Sequence, residues 1–129
     1  MKSFIISMAA AAGLMVAGSV LAVDMPEAAK KNGCTACHAI DKKVVGPAWM
    51  DVSKKYKGAT TYKYSATGSD AADAKEYPLE EGLVMKVSKG GKGNWTSVTG
   101  GVPMIANDPT GAKKEQITEL VKFILGLAK

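Results

Sequence analysis

The sequence predicts an all-α domain with long loops, on three observations. Ile117, Leu120, Val121, Ile124, Leu125 and Ala128 recur at i, i+3, i+4, i+7, i+8 and i+11, the clearest amphipathic period in the chain. Three further helix-like segments are bounded by Gly and Pro. No segment alternates well enough for a strand, and there is no internal repeat. The 129 residues allow one domain. Many of the apolar residues are Ala, so large core-forming side chains are scarce. A chain of this kind buries only a modest core unaided, which favours a bound prosthetic group or metal as part of the core.

Residues 1–22 read as a secretory signal peptide. Lys2 is followed by an apolar run from Phe4 through Ala9-Ala10-Ala11-Ala12, and Val20-Leu21-Ala22 forms a small-residue cleavage site. The competing reading is a retained membrane anchor, since Phe4 to Val23 is long enough to span. Its many Ala, Gly and Ser make it only weakly hydrophobic. Either way, residues 23–129 are expected to form one domain outside the cytoplasm, in the periplasm. That compartment permits thiol oxidation and thiol-based cofactor attachment.

The domain opens with Asp24-Met25-Pro26-Glu27, a helix start in which Asp24 can cap and Glu27 sits three residues later. This helix runs to about Asn32, and Gly33 suits its end. Pro47 opens a second helix with Trp49, Val52 and Tyr56 on one face, ended by Gly58. Residues 59–77 show no clean period and read as a surface loop, with Tyr62, Tyr64 and Tyr77 interleaved and a short helical turn near Asp70 to Lys75. Pro78 starts a third helix with Leu79, Leu83, Val84 and Val87 inward, stopped by Gly90-Gly91. Residues 92–108 form a second irregular stretch, and the last helix begins near Lys113.

The decisive motif is Cys34-Thr35-Ala36-Cys37-His38, the pattern of covalent haem attachment. Residues three apart lie on one side of a helical turn, so two thiols there can each add to one vinyl group of a porphyrin. His38 then falls below the ring, within reach of the iron. Two Cys exclude a multi-disulfide scaffold, and one His excludes a His-rich metal site. A redox dithiol would leave His38 unexplained and lacks the βαβ pattern of the thioredoxin type. A zinc site needs about four ligands, and two Cys with one His supply three.

With no second His, bis-His ligation within one molecule is excluded. Met is the alternative, and His/Met ligation is an electron-transfer arrangement. Beyond the signal segment the candidates are Met25, Met50, Met85 and Met104. Met50 and Met85 fall inside predicted helices, where packing is the usual role of Met. Met25 precedes the motif closely and has no obvious route to the far face of the iron. Met104 lies in the loop Gly100-Gly101-Val102-Pro103-Met104, which can wrap to that face and is stiffened by Pro103, so it is favoured.

The chain resembles the small bacterial monohaem class I cytochromes c. The resemblance rests on Lys31 to Asp41 around the motif, on Val45-Gly46-Pro47-Ala48, on Pro103-Met104 and on the last helix. It implies a class I cytochrome c fold, three to five helices with long loops wrapped around one haem attached through Cys34 and Cys37. It implies that the Pro47 carbonyl accepts a hydrogen bond from the free ring nitrogen of His38 and orients it. It also implies that Asn107 contacts the Met104 sulfur and that the Trp95 indole N–H meets a haem propionate. Two departures stand out. Lys86 replaces an Arg that relatives carry before the Gly-rich turn, and one ammonium cannot reproduce a bidentate guanidinium contact. Residues 59–77 are longer than in the shortest relatives, and read as a solvated insertion or as a cover for a haem edge.

The expected function is one-electron transfer by a periplasmic carrier with His38/Met104 ligation, and not an enzyme. The alternatives are a haem enzyme or sensor with an open distal site, or a non-haem dithiol protein. The absence of a distal His and of any Arg weakens peroxidase-type chemistry. The resemblance implies redox-protein donors and acceptors, such as a membrane cytochrome complex or a periplasmic reductase or oxidase, and no small-molecule substrate. The chain carries 17 basic residues, all Lys, against 12 acidic ones, a net charge of +5. Its Lys pairs are scattered, as on solvated helix faces; the absence of Arg and export argue against a nucleic-acid role and leave room for an acidic protein partner. Lys42, Lys43 and Lys92 are expected to ring an apolar patch that includes Val45 and Ile105.

Overall fold

The computed structural model describes residues 23–128. The expected signal peptide, residues 1–22, lies outside them. Among the described residues, the elements in chain order are α1 (Glu27–Lys31), a 3₁₀ turn (Cys34–Ala36), α2 (Trp49–Lys55), β1 (Thr61–Tyr64), β2 (Lys75–Pro78), α3 (Leu79–Lys89), α4 (Thr96–Thr99) and α5 (Lys114–Leu125). None of these helices is long and apolar enough to cross a membrane.

The last helix forms as its periodicity predicts. Ile117, Leu120, Val121 and Ile124 are all buried. Each contributes about 1.5–3 kcal/mol by burial. The stripe serves two clusters. Ile117 and Val121 pack with Leu83 and Val84 of α3 and with Tyr56, Tyr62 and Tyr64. Leu120 and Ile124 pack with Ala29 of α1 and Trp49 of α2. Thus α5 is the spine on which α1, α2 and α3 are laid. Ser53, buried in α2, donates from its hydroxyl to the Leu125 carbonyl at 3.1 Å and accepts the Ala128 N–H at 2.9 Å. This tie fixes the end of α5 against α2.

Three helix boundaries match the punctuation closely. Pro78 immediately precedes α3 and Gly90 follows it, with φ of 69°. Gly33, with φ of 72°, separates α1 from the 3₁₀ turn. The first helix differs in its cap: it starts at Glu27, and no side chain, Asp24 included, bonds its amino end. Within the irregular stretch 92–108, Thr96–Thr99 makes one turn of helix.

The segment 59–77 corrects the all-loop reading. It folds as an antiparallel hairpin in which Tyr62 pairs with Tyr77 and Tyr64 with Lys75. The sequence Thr61-Tyr62-Lys63-Tyr64 alternates exposed and buried, with both odd-numbered residues outward and both Tyr inward. The alternation is short, and β2 carries no matching inward pattern, which is why the pair escapes a reading by period. Near Asp70 to Lys75 the chain makes successive turns, such as Ala71 N–H to Gly68 carbonyl, instead of a helix. The hairpin seats on α3 at Gly82, where a Cβ would come within 2.7 Å of the Tyr62 Cβ. Gly inside a helix costs about 1 kcal/mol relative to Ala, and here it admits the tyrosine.

Candidate functional site

An apolar cavity of about 250 Å³ lies between these elements, and Cys34, Cys37, His38 and Met104 all line it. Leu83, Val121 and Ile124 of the core form part of its wall, so whatever fills it completes the core.

The Cys34–His38 segment builds itself by local bonds. The Cys37 and His38 N–H groups both donate to the Cys34 carbonyl, at 3.1 and 2.9 Å. The Val45 and Gly46 N–H groups return to the Cys37 carbonyl, at 3.2 and 2.8 Å, closing the loop over the motif. His38 Nδ1–H donates to the Pro47 carbonyl at 2.8 Å. That bond sets the tautomer and leaves Nε2 as the free lone pair. Burial pushes the His38 pKa down, partly offset by the Pro47 bond, so the ring is held neutral, as a metal ligand must be.

Two neighbours of His38 carry weight that the sequence reading did not give them. A Cβ on Gly46 would sit about 3.0 Å from both ring nitrogens and closer still to Cε1, so only glycine lets the ring lie there. Trp49 backs the imidazole, with ring centroids 6.0 Å apart, and is itself held edge-on by Phe123. The Gly46-Pro47 pair is legible as a turn and the Pro47 bond follows from the family resemblance; the contact of Gly46 with His38 has no signal in composition or period.

Cys34 and Cys37 are both free thiols. Burial pushes the Cys34 thiol up, the reverse of the electropositive surroundings that activate a redox dithiol. Two thiols beside a neutral imidazole in an apolar cavity fit the alternative chemistry, thioether attachment of a porphyrin.

Met104 reaches the same cavity from the loop after α4. Its backbone makes a bridge to Gly91, with the Gly91 N–H to Met104 carbonyl at 2.8 Å and the return bond at 3.1 Å. Of the other candidates, Met85 packs against the larger core cluster and Met25 against the smaller one, as core filler does. Met25, Met50 and Met85 do not line the cavity.

Three further residues were singled out. Trp95 lines the cavity and lies under the Lys55 ammonium, 4.3 Å from the ring centroid. Asn107 also lines it, but its amide nitrogen donates to the Val87 and Ile105 carbonyls, both at 3.2 Å. The side chain therefore ties the Met104 loop to α3. Lys86 donates from its ammonium to the Gly91 and Lys92 carbonyls, at 2.5 and 2.9 Å. Burial pushes its pKa down to about 8. The ammonium thus clamps the backbone of the turn that follows α3.

Comparison with known proteins places the chain in a family. The family model described as Cytochrome c matches residues 26–128. Cytochrome c2 of Rhodocyclus tenuis is 43% identical over 100 residues, covering 77% of this chain and 87% of the relative. Cytochrome c-551 of Allochromatium vinosum is 41% identical over 99 residues, covering 77% and 81%. The crystal structure of Nitrosomonas europaea cytochrome c552 superposes with a TM-score of 0.53 at 33% identity, covering 78% of this chain and 95% of that one.

Proposed function

The chain belongs to the cytochrome c family, and from that premise we propose that it is a periplasmic electron carrier whose haem, held through Cys34 and Cys37, is ligated by His38 and Met104. One-electron transfer by a covalently attached c-type haem is the chemistry of the family. The observation that carries the finer reading is that Cys34, Cys37, His38 and Met104 line one apolar cavity.

When bound, the haem supplies the ferrous/ferric couple. The protein's part is binding, orientation and electrostatics. Pro47 holds the His38 tautomer, Gly46 admits the ring, and Trp49 backs it. The apolar wall and a thioether ligand both favour the less charged ferrous form and raise the potential. If His38 and Met104 both held the iron, no coordination site would be left for a substrate, the condition of a carrier and not of an enzyme or sensor. Trp95, at the cavity wall, is our candidate for a propionate contact through its indole N–H.

Partners are redox proteins, a donor and an acceptor, and the reading extends to where they dock. Val45, Val102 and Ile105 line the cavity and are 43%, 53% and 71% exposed. Lys42, Lys43 and Lys92 are also exposed. An apolar patch with lysines around it suits a short-lived contact with an acidic partner.

The deciding experiment is one mass and one spectrum. Protein matured in the periplasm should begin at Val23 and carry one covalent haem after acidic solvent extraction. Its oxidised spectrum should show the weak long-wavelength band of sulfur-ligated ferric haem. A mass without haem would sink the attachment, and a spectrum without that band would sink Met104. Retention of residues 1–22 would make the protein a membrane-anchored carrier.

A further inference from the structure

We propose that the β1–β2 hairpin and Lys86 are positioning elements for Met104, gripping the Gly90-Gly91-Lys92 turn on which Met104 is hung. The inference rests on the reading of Met104 as the second axial ligand.

The backbone of Met104 is held by its two bonds to Gly91. The next ties of this segment to α3 come only at Asn107 and Asp108, whose N–H groups donate to the Val87 and Ser88 carbonyls at 3.2 and 3.1 Å. Val102, Pro103, Ile105 and Ala106 are all exposed, so apolar burial contributes little there. The position of Met104 is therefore set by the position of Gly91.

The turn containing Gly91 has every backbone polar group partnered. The Gly90 N–H donates to the Lys86 carbonyl at 2.8 Å, and the Gly90 carbonyl accepts the Tyr64 hydroxyl at 3.1 Å. The Gly91 N–H and carbonyl meet Met104, and the same Gly91 carbonyl accepts the Lys86 ammonium. The Lys92 N–H donates to the Ala66 carbonyl at 3.1 Å, and its carbonyl accepts Lys86 at 2.9 Å. Tyr64 and Ala66 come from β1 and the turn after it, 26 residues from their partners in the case of Tyr64 and Gly90.

The fit is also steric. A Cβ on Gly90 would overlap the Met104 carbonyl and the Ile105–Ala106 peptide, and one on Gly91 would overlap the Ala66 backbone. The turn is wedged between the hairpin and the Met104 segment, with no room for a side chain on either residue. A surface insertion with no supporting role would not close to backbone contact with the turn that is bridged to Met104.

The test uses the mature holoprotein and three variants. Tyr64→Phe removes one hydroxyl and keeps the ring. Lys86→Met removes the ammonium and keeps the length. Tyr77→Phe, on the same hairpin, removes a hydroxyl that makes no bond to the turn and serves as control. Two quantities are read: hydrogen exchange at the Gly91 and Met104 amides, and association of carbon monoxide with the reduced protein. Each lost hydrogen bond should speed both by roughly two- to tenfold, and the double variant by more than either. Tyr77→Phe should change neither. Unchanged exchange in Tyr64→Phe overturns the proposal, and that variant decides alone if Lys86→Met does not mature. Met104→Ala separates the two readings. If it leaves the iron closed to carbon monoxide, the axial assignment is wrong, and amide exchange alone then judges the brace.

Discussion

On the His38 side of the cavity, the bond that orients the ring spans nine residues, from His38 to Pro47, and the Cys37 carbonyl is closed by Val45 and Gly46. On the Met104 side, the turn that holds this residue is gripped by Tyr64, 26 residues from Gly90, and the loop is tied down by Asn107 to Val87, 20 residues away. One side is thus closed by local hydrogen bonds, with Trp49 and Phe123 behind the ring as its packing from α2 and α5. The other exists only once the hairpin, α3 and the loop have assembled. Long-range contacts carry more loop-closure entropy, so they form later and open first. The Met104 side should be the one that yields under stress.

The largest effect should come from removing what both sides share. Cys34→Ala/Cys37→Ala protein keeps every local bond of the motif but cannot attach the group that completes the core. Few large side chains are left to offset backbone entropy. Circular dichroism should show little stable helix, and a cooperative thermal transition in this apoprotein would break the argument.

Next in size is Met104→Ala, which deletes the proposed ligand and leaves the His38 side intact. Axial ligands set potentials over a range of about 0.8 V, so the potential should fall by on the order of 0.1 V or more, and the reduced protein should bind carbon monoxide. If Met50→Ala or Met85→Ala did this instead, the assignment would move to that residue.

The two sides can be compared directly by the same substitution. Gly46→Ala forces a methyl against the His38 ring; overpacking of this kind costs about 1–3 kcal/mol, measurable as a lower denaturant midpoint. The rest of that side can give only by moving His38, so the Soret region should shift with it. Gly91→Ala meets the Ala66 backbone at a φ of 103° and should act through Met104 instead, erasing the long-wavelength sulfur band while covalent attachment survives. Equal spectral changes in both variants would erase the distinction between the sides.

The smallest effects belong to docking, where both sides contribute surface. Lys42→Glu/Lys43→Glu lies beside Val45, and Lys92→Glu follows Gly91. Steering predicts that the electron-transfer rate with an acidic partner falls as salt rises, as the Debye length shrinks from about 30 Å at 0.01 M to about 8 Å at 0.15 M. It predicts slower association in both variants, with potential and spectrum nearly unchanged. A rate indifferent to salt and to these charges would leave the apolar patch alone as the contact.

What could be read without the fold follows the same division. The helix over Lys114–Leu125, the boundaries at Pro78 and Gly90, the attachment motif and the Pro47 contact with His38 all rest on short-range order: a period, a punctuating residue, or a family motif nine residues wide. Such features are specified by neighbours along the chain. The hairpin was missed because β1 offers only two inward tyrosines and its partner strand, Lys75–Pro78, shows no alternation of its own. Its pairing becomes favourable only when Tyr62 finds the gap at Gly82 on α3. Lys86 could be seen as a departure from Arg, but its bonds to Gly91 and Lys92 depend on how the turn folds back over α3. The direction of the Asn107 amide is likewise decided by which carbonyls α3 leaves within reach. Sequence alone singled out Cys34, Cys37, His38 and Met104, which line one cavity, because their chemistry is written in the chain. Only the tertiary structure decided how Met104 is held there, because a hydrogen bond across 26 residues has no local signature.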